Sequence, residues 1–121
     1  SESYRLALTA SQSLRAGELM GAIEGYRKAL ALVDYDSTVH AQLAWALYLA
    51  LREGGAKVKA EDFAGHLRRA LELDPRNTYA LVVRARVAET EGDSETAAND
   101  YRKVLKLDPQ HREARQKLKN L

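Results

Sequence analysis

The chain has 121 residues, of which 45% are apolar and 30% are charged, as in an ordinary globular domain. The formal net charge of +2 is too small to indicate nucleic-acid binding. The absence of cysteine excludes disulfides, thiol catalysis and cysteine-ligated metal. It is also typical of a reducing compartment, so we expect a cytoplasmic protein. The longest apolar run, residues 43–51, is far shorter than the roughly 20 residues that span a membrane.

One sequence pattern occurs three times along the chain. The second and third copies both carry Leu-Asp-Pro, at residues 73–75 and 107–109, which are 34 residues apart. The first and second copies are 41 residues apart, so the second unit contains seven extra residues. We predict repeat units at about 3–36, 37–77 and 78–111, followed by a tail at 112–121.

Each unit has the pattern of two helices. In units one and three, Gly17 and Gly92 supply the left-handed backbone that ends the first helix. Asp93 or Ser94 then caps the following helix, and Asn77 or Thr78 caps the helix that starts unit three. Proline ends the second helices of units two and three, at Pro75 and Pro109.

Five places of the units are informative, at positions 8, 20, 24, 27 and 32. They hold Ala10, Ala22, Tyr26, Ala29 and Asp34 in unit one; Ala44, Phe63, Leu67, Ala70 and Pro75 in unit two; and Ala85, Ala97, Tyr101, Val104 and Pro109 in unit three. With these residues, positions 3–111 resemble the tetratricopeptide repeat family, whose motif has a small residue at 8, Ala at 20, an aromatic residue at 24, Ala at 27 and Pro at 32. The resemblance implies one all-α domain over residues 1–121, a right-handed superhelical stack of antiparallel helix hairpins (an α-solenoid). It has about seven helices, and the tail 112–121 caps the stack.

The sequence departs from the family pattern at several places. Arg84 and Thr9 stand where the family usually has Leu, and His40 stands where it usually has Trp. Phe63 stands at the Ala place of unit two, which suggests either a repacked unit or a shifted register there. The seven extra residues are expected near 52–59, where Gly54-Gly55 predicts a turn. This segment is either a basic loop that contacts a partner or a tolerated surface insertion.

No recognisable catalytic or metal-binding motif is present. The three histidines, His40, His66 and His111, are far apart in sequence and lack metal-ligand spacing. Five acidic residues lie in the stretch 88–100, either as a weak cation site or, more simply, as acidic residues at a helix start. The basic tail lacks interleaved aromatic residues, so we interpret it as a solvated cap and not as a nucleic-acid patch. We expect no enzyme activity, no metal and no cofactor.

The resemblance also implies a concave groove lined by the first helix of each unit. We predict these partner-binding residues in it: Tyr4, Ser11, Arg15, Gln42, Trp45, Tyr48, Tyr79, Val82 and Arg86. Trp45 is either a binding anchor or a packing residue of the stack. Members that bind chaperone tails carry a charged carboxylate clamp, whose five positions here are Ala7, Ser11, Gln42, Tyr79 and Val83. The clamp is therefore absent, although Arg86 and Arg15 could hold one ligand carboxylate in another way.

The sequence therefore favours a non-catalytic protein-protein interaction module that binds a peptide or a partner domain in the groove. Because the chain does not begin with Met, we expect it to be part of a larger scaffold or regulatory protein. The segment HAQLAWALYLA (40–50) and the Arg/Ala-rich style resemble bacterial repeat segments, so we expect that protein to be bacterial. The alternative is a self-associating assembly domain whose groove or end is filled by another copy. A weaker hypothesis is nucleic-acid binding through the tail and the loop that carries Lys57 and Lys59.

Overall fold

The computed structural model describes residues 1–55 and 57–121. Within them it contains seven α-helices and no strand: α1 (Glu2–Arg15), α2 (Leu19–Leu32), α3 (Ser37–Arg52), α4 (Ala60–Leu73), α5 (Thr78–Thr90), α6 (Ser94–Leu107) and α7 (Arg112–Asn120). The predicted all-α fold is confirmed. In the described part of the chain, no helix combines the length and the hydropathy that a membrane crossing requires.

Glycine ends the first helix of each hairpin. Gly17, Gly54 and Gly92 have φ of +79°, +82° and +84°, a region that strains any other side chain. This confirms the prediction for Gly17 and Gly92. The second helix of the third hairpin is capped by Asp93, whose carboxylate accepts a hydrogen bond of 3.1 Å from the Thr96 N–H. Asp93, and not Ser94, is therefore the N-cap.

The helices pack in sequence order as three hairpins, α1–α2, α3–α4 and α5–α6, with α7 against α6. The first helices of the hairpins also meet, because α3 contacts both α1 and α5. The central helix α3 is therefore buried on several sides, which explains the apolar run at 43–51. Leu43, Ala44, Ala46 and Leu47 are fully buried, whereas Trp45 is only half-buried.

The second hairpin is repacked around Phe63. Its ring lies 5.1 Å from the ring of Tyr48 and joins two of the core clusters. Leu67 and Ala70, at the next places of the repeat, remain buried. The register of α4 is therefore unchanged, and the larger side chain is accommodated by local packing.

The segment between α3 and α4 covers the predicted insertion at 52–59. One of its residues, Ala56, lies outside the described residues. Val58 is buried and packs on the first core cluster, whereas Lys57 and Lys59 are exposed. The apolar residue therefore anchors the loop to the domain, and the two cations face the solvent.

Candidate functional site

The nine predicted groove residues lie on α1, α3 and α5, whose shared surface we call the inner face. They differ in exposure. Tyr4 and Arg15 are exposed; Ser11, Gln42, Trp45, Tyr79 and Arg86 are half-buried; Tyr48 and Val82 are buried. Each of the last two exposes only 5% of its surface, so their main contribution is to packing.

A shallow cavity of about 320 Å³ lies between α1 and the start of α3, and we call it the α1–α3 cavity. It is lined by Tyr4, Ala7, Leu8, Ser11, Asp36, Thr38, Val39 and Gln42. Tyr4 and Leu8, which lie one turn apart on α1 and line the cavity, are 67% and 44% exposed. Asp36 is the one charged residue of the lining, and its Oδ1 already accepts a hydrogen bond from the Val39 N–H.

At the other end of the inner face, Arg86 joins α5 to α7. Its guanidinium lies 4.8 Å from the ring centre of Trp45, at cation–π distance. The Nε and Nη2 atoms also donate hydrogen bonds of 2.7 and 2.6 Å to the two carboxylate oxygens of Glu113. Hydrogen bonding from Arg86 lowers the pKa of Glu113 below its usual range. Two of the three guanidinium nitrogens of Arg86 are therefore already engaged by Glu113.

A second ionic contact holds α7 against α5. Glu89 accepts one hydrogen bond from the Tyr101 hydroxyl and one from the Lys117 ammonium, both at 3.2 Å. Glu91, the C-cap residue of α5, accepts a hydrogen bond of 2.9 Å from the Tyr48 hydroxyl. Burial, and then this hydrogen bond, raise the pKa of Tyr48. The carboxylates of Glu89 and Glu91 are therefore already engaged within the chain.

Trp45 packs within the stack, and its role as a binding anchor stays a prediction. Its ring stacks on Tyr48 at a centroid distance of 6.0 Å and packs against the core cluster of α3, α4 and α5. It also keeps part of its surface in solvent. Sequence reasoning missed Glu113 and Lys117 as neighbours of this region, because the packing of α7 on α5 leaves no local signal in the sequence.

The five clamp positions carry no charged side chain in the structure. Val83 is fully buried, and Tyr79 is half-buried. Burial raises the pKa of Tyr79, so its hydroxyl stays neutral near pH 7. The inner face therefore offers hydroxyl and amide groups where a charged clamp would offer lysine, arginine and asparagine.

Two histidines that are distant in sequence meet in the structure. The Nδ1 atoms of His40 on α3 and His66 on α4 are 3.0 Å apart. His40 is 7% exposed, and its Nε2 lies 2.7 Å from the backbone carbonyl oxygen of Asp34. Burial, and then the nearby His40 and Arg27, lower the pKa of His66. Sequence spacing did not reveal this pair, because the two residues lie on different helices.

The comparisons with known proteins agree with this fold. Residues 78–111 match the tetratricopeptide repeat family model. Human peptidyl-prolyl cis-trans isomerase FKBP4 is 31% identical over an alignment of 112 residues; the match covers 86% of this chain and 24% of that protein. The chain thus spans about a quarter of the length of this relative.

Two solved structures share the architecture. The first TPR of Spaghetti (RPAP3), bound to the HSP90 peptide SRMEEVD, is 24% identical; the match covers 98% of this chain and 91% of that one, with a TM-score of 0.83. The Arabidopsis OM64 TPR domain is 22% identical, with coverage of 98% and 92% and a TM-score of 0.80. Residues 78–111 are therefore a tetratricopeptide repeat, and the seven helices of the described chain share the fold of these solved TPR domains.

Proposed function

We propose that the chain is a non-catalytic protein-interaction module that binds a peptide segment of a partner protein on its inner face. The observation that carries this proposal is the α1–α3 cavity, where Tyr4 and Leu8 remain exposed beside a concave surface. Adjacent exposed apolar side chains of this size are typical of interaction sites. An apolar side chain of the partner would enter the cavity, and Trp45 would contact the segment further along the inner face.

A known structure of the same fold supports a peptide as the ligand. The first TPR of Spaghetti holds an HSP90 peptide, SRMEEVD. That peptide is acidic, with two glutamates and an aspartate among its seven residues. The same fold therefore accommodates a short peptide, and the ligand chemistry depends on the side chains of each inner face.

The side chains of this chain favour an apolar, uncharged segment over an acidic tail. The clamp positions lack lysine and arginine, and Glu113 neutralises Arg86. Ser11 and Gln42 in the cavity can instead hydrogen-bond to the amide groups of an extended backbone. A segment that orders on binding to a cavity of this size would have micromolar affinity.

We also propose that this module belongs to a larger bacterial scaffold or regulatory protein of the cytoplasm. The match to about a quarter of a longer relative supports a module within a longer chain. The whole chain would then be one domain of that protein. It would consist of three repeat units, at 3–36, 37–77 and 78–111, and the cap at 112–121.

Selection of a random heptapeptide phage library on the immobilised chain tests the proposal. We expect enriched peptides with apolar side chains and few carboxylates, and binding in calorimetry that Leu8→Ala weakens at least about tenfold. Leu32→Ala is the matched control, because Leu32 is 57% exposed on α2, outside the cavity lining. Tyr4→Ala and Tyr35→Ala form a second matched pair, at 67% and 69% exposure.

Two results would contradict the proposal. One is enrichment of acidic peptides whose binding Leu8→Ala leaves unchanged. The other is self-association through the cavity, which light scattering over a range of concentrations would detect as a Leu8-dependent dimer. A peptide-binding module stays monomeric across that range.

A further inference from the structure

We propose that His40 and His66 form a binding site for a divalent transition-metal ion, with Zn²⁺ as the reference ion. The two imidazoles face each other across α3 and α4, with 3.0 Å between their Nδ1 atoms and 5.2 Å between ring centres. The site is separate from the α1–α3 cavity, whose lining contains neither histidine. The proposal does not depend on the proposed function.

The hydrogen bonds of His40 determine which of its ring nitrogens is free. The Asp34 carbonyl oxygen can only accept, so His40 Nε2 carries the proton and donates across 2.7 Å. In the neutral ring this leaves the Nδ1 lone pair directed at His66. Metal-ligating histidines typically donate their second ring nitrogen to a carbonyl or carboxylate, so His40 is already oriented as a ligand.

His66 becomes a ligand by a change of tautomer. In the metal-free pair, His66 Nδ1–H donates to His40 Nδ1, because His40 has no proton there. When the His66 proton moves to Nε2 through solvent, both Nδ1 atoms carry a lone pair that is free to bind a metal ion. No net proton is gained or lost, and both rings remain neutral.

The separation of the two nitrogens suits one metal ion. Two imidazole nitrogens bound to a tetrahedral Zn²⁺ at about 2.0–2.1 Å are roughly 3.3 Å apart. The observed separation of 3.0 Å is shorter by only a few tenths of an ångström. To admit the ion, both rings would rotate until their Nδ1 lone pairs converge on a point beside the line that joins the two nitrogens.

The residues around the histidine pair determine which metal ions it can bind and how tightly. Asp62 lies one helical turn before His66 on α4, and its carboxylate is 3.8 Å from the Arg27 guanidinium of α2. No group of three or more potential ligands occurs among residues 1–55 and 57–121, so water would complete the coordination shell. Two imidazoles select Zn²⁺ or Cu²⁺ over Mg²⁺ and bind them in an exchangeable manner.

Thermal unfolding with ZnCl2 at pH 7.5 tests the site. Because the ion would bind only the folded pair, we expect it to raise Tm by a few degrees, while MgCl2 has no effect. His66→Gln should abolish the rise and weaken Zn²⁺ binding in calorimetry at least about tenfold. His111→Asn is the matched control, because His111 only caps α7, through its Nδ1, and asparagine is also a good cap.

Nitrogen NMR of the histidine rings in the wild-type chain provides a readout that does not depend on how the variants fold. Zn²⁺ should shift the Nδ1 signals of both His40 and His66 and leave those of His111 unchanged. A wild-type chain without a Tm rise or these shifts would overturn the proposal. An equal Tm rise in His66→Gln would also overturn it, because the ion would then bind elsewhere.

Discussion

The first and third hairpins share one sequence pattern but are stabilised by different contacts. In the first hairpin, α1 and α2 approach so closely that a Cβ on Gly25 would lie 2.8 Å from the Cβ of Ala10. In the third hairpin, Arg84 on α5 forms a bidentate pair with Asp100 on α6, with hydrogen bonds of 2.8 and 2.9 Å. The first hairpin is thus held by close apolar packing at Gly25 and Ala10, whereas the third hairpin is held by an ion pair.

The aromatic residue of each of these repeats shows the same difference. Tyr26 and Tyr101 occupy equivalent places and are both fully buried. The Tyr101 hydroxyl donates to Glu89 on α5, whereas the Tyr26 hydroxyl has no partner among the described residues. The place equivalent to Glu89 in the first unit is Leu14, which cannot accept a hydrogen bond.

This difference bears on function. The inner face of α5 is engaged by α7 through Arg86–Glu113 and Glu89–Lys117. The inner face of α1 has no such contact in the described chain and borders the α1–α3 cavity. Arg86 and Glu89 at the α5 end are therefore already paired with α7, whereas no residue that lines the α1–α3 cavity forms an ion pair in the described chain.

Removal of the Arg84 guanidinium, which pairs with Asp100 in the third hairpin, should cause the largest loss of stability. Arg84→Met leaves the carboxylate of Asp100, which is 2% exposed, without its bidentate partner. The remaining cation, Lys103, is 4.0 Å away. We expect a loss of about 3 kcal/mol in the free energy of unfolding, measured by urea denaturation. Arg102→Met on the exposed side of α6 is the control, and an equal loss there would refute the argument.

A substitution at the close approach of α1 and α2, where Gly25 faces Ala10, should cause the second-largest loss of stability. Gly25→Ala should cost about 2 kcal/mol of unfolding free energy, because the new methyl group overlaps that of Ala10. Gly21→Ala on the same helix meets only ordinary contacts at 3.8 Å and should stabilise the chain by up to about 1 kcal/mol. Adding Ala10→Gly to Gly25→Ala should recover part of the loss. Without that recovery, the overlap is not the cause.

The two buried tyrosines should respond differently to loss of the hydroxyl. Tyr101→Phe removes the hydrogen bond to Glu89 and should lower the free energy of unfolding by about 1 kcal/mol. Tyr26→Phe removes a hydroxyl without a partner in the described chain and should leave stability unchanged or slightly higher. Parallel thermal denaturation checks this, and equal losses would show that Tyr26 has an acceptor.

The contact between α7 and α5 should have the smallest effect and depend on pH. The lowered pKa of Glu113 means that its ionised form stabilises the folded chain at neutral pH. As the pH falls, this stabilisation begins to decrease near the ordinary pKa of glutamate. It is lost once the pH is below the pKa of Glu113 in the folded chain. We expect Glu113→Gln to cost under about 1 kcal/mol at pH 7, since both side chains are partly exposed, and nothing at low pH. Urea denaturation at several pH values measures this, and a cost independent of pH would exclude the ion pair as its source.

Local patterns were sufficient to predict much of the fold. Proline after the second helices, glycine after the first helices and the apolar spacing between them predicted the helix pairs, since each acts within a few residues of backbone. The departures from the repeat pattern were visible but not explained. Arg84 and His40 replace the usual apolar residues because each faces a polar partner, Asp100 and His66, on the following helix.

The candidate site was predicted less completely. The pattern placed Tyr4, Ser11 and Gln42 on one face, and the structure brings them to one cavity. It also assigned Tyr48 and Val82 to the groove, where they are almost entirely buried. Their exposure depends on how closely α3 and α5 pack, which helical periodicity does not describe.

The sequence by itself determined two properties of this chain. The spacing of its residues shows that it repeats a helical hairpin, and the residue types at the five clamp positions show that it has no charged clamp. Only the tertiary structure decided which charges are already neutralised and which surface remains open. Glu113 meets Arg86, and His40 meets His66, across 26 or 27 residues of chain. Such contacts depend on the packing of whole helices, whereas the sequence pattern records only the preferences of each helix.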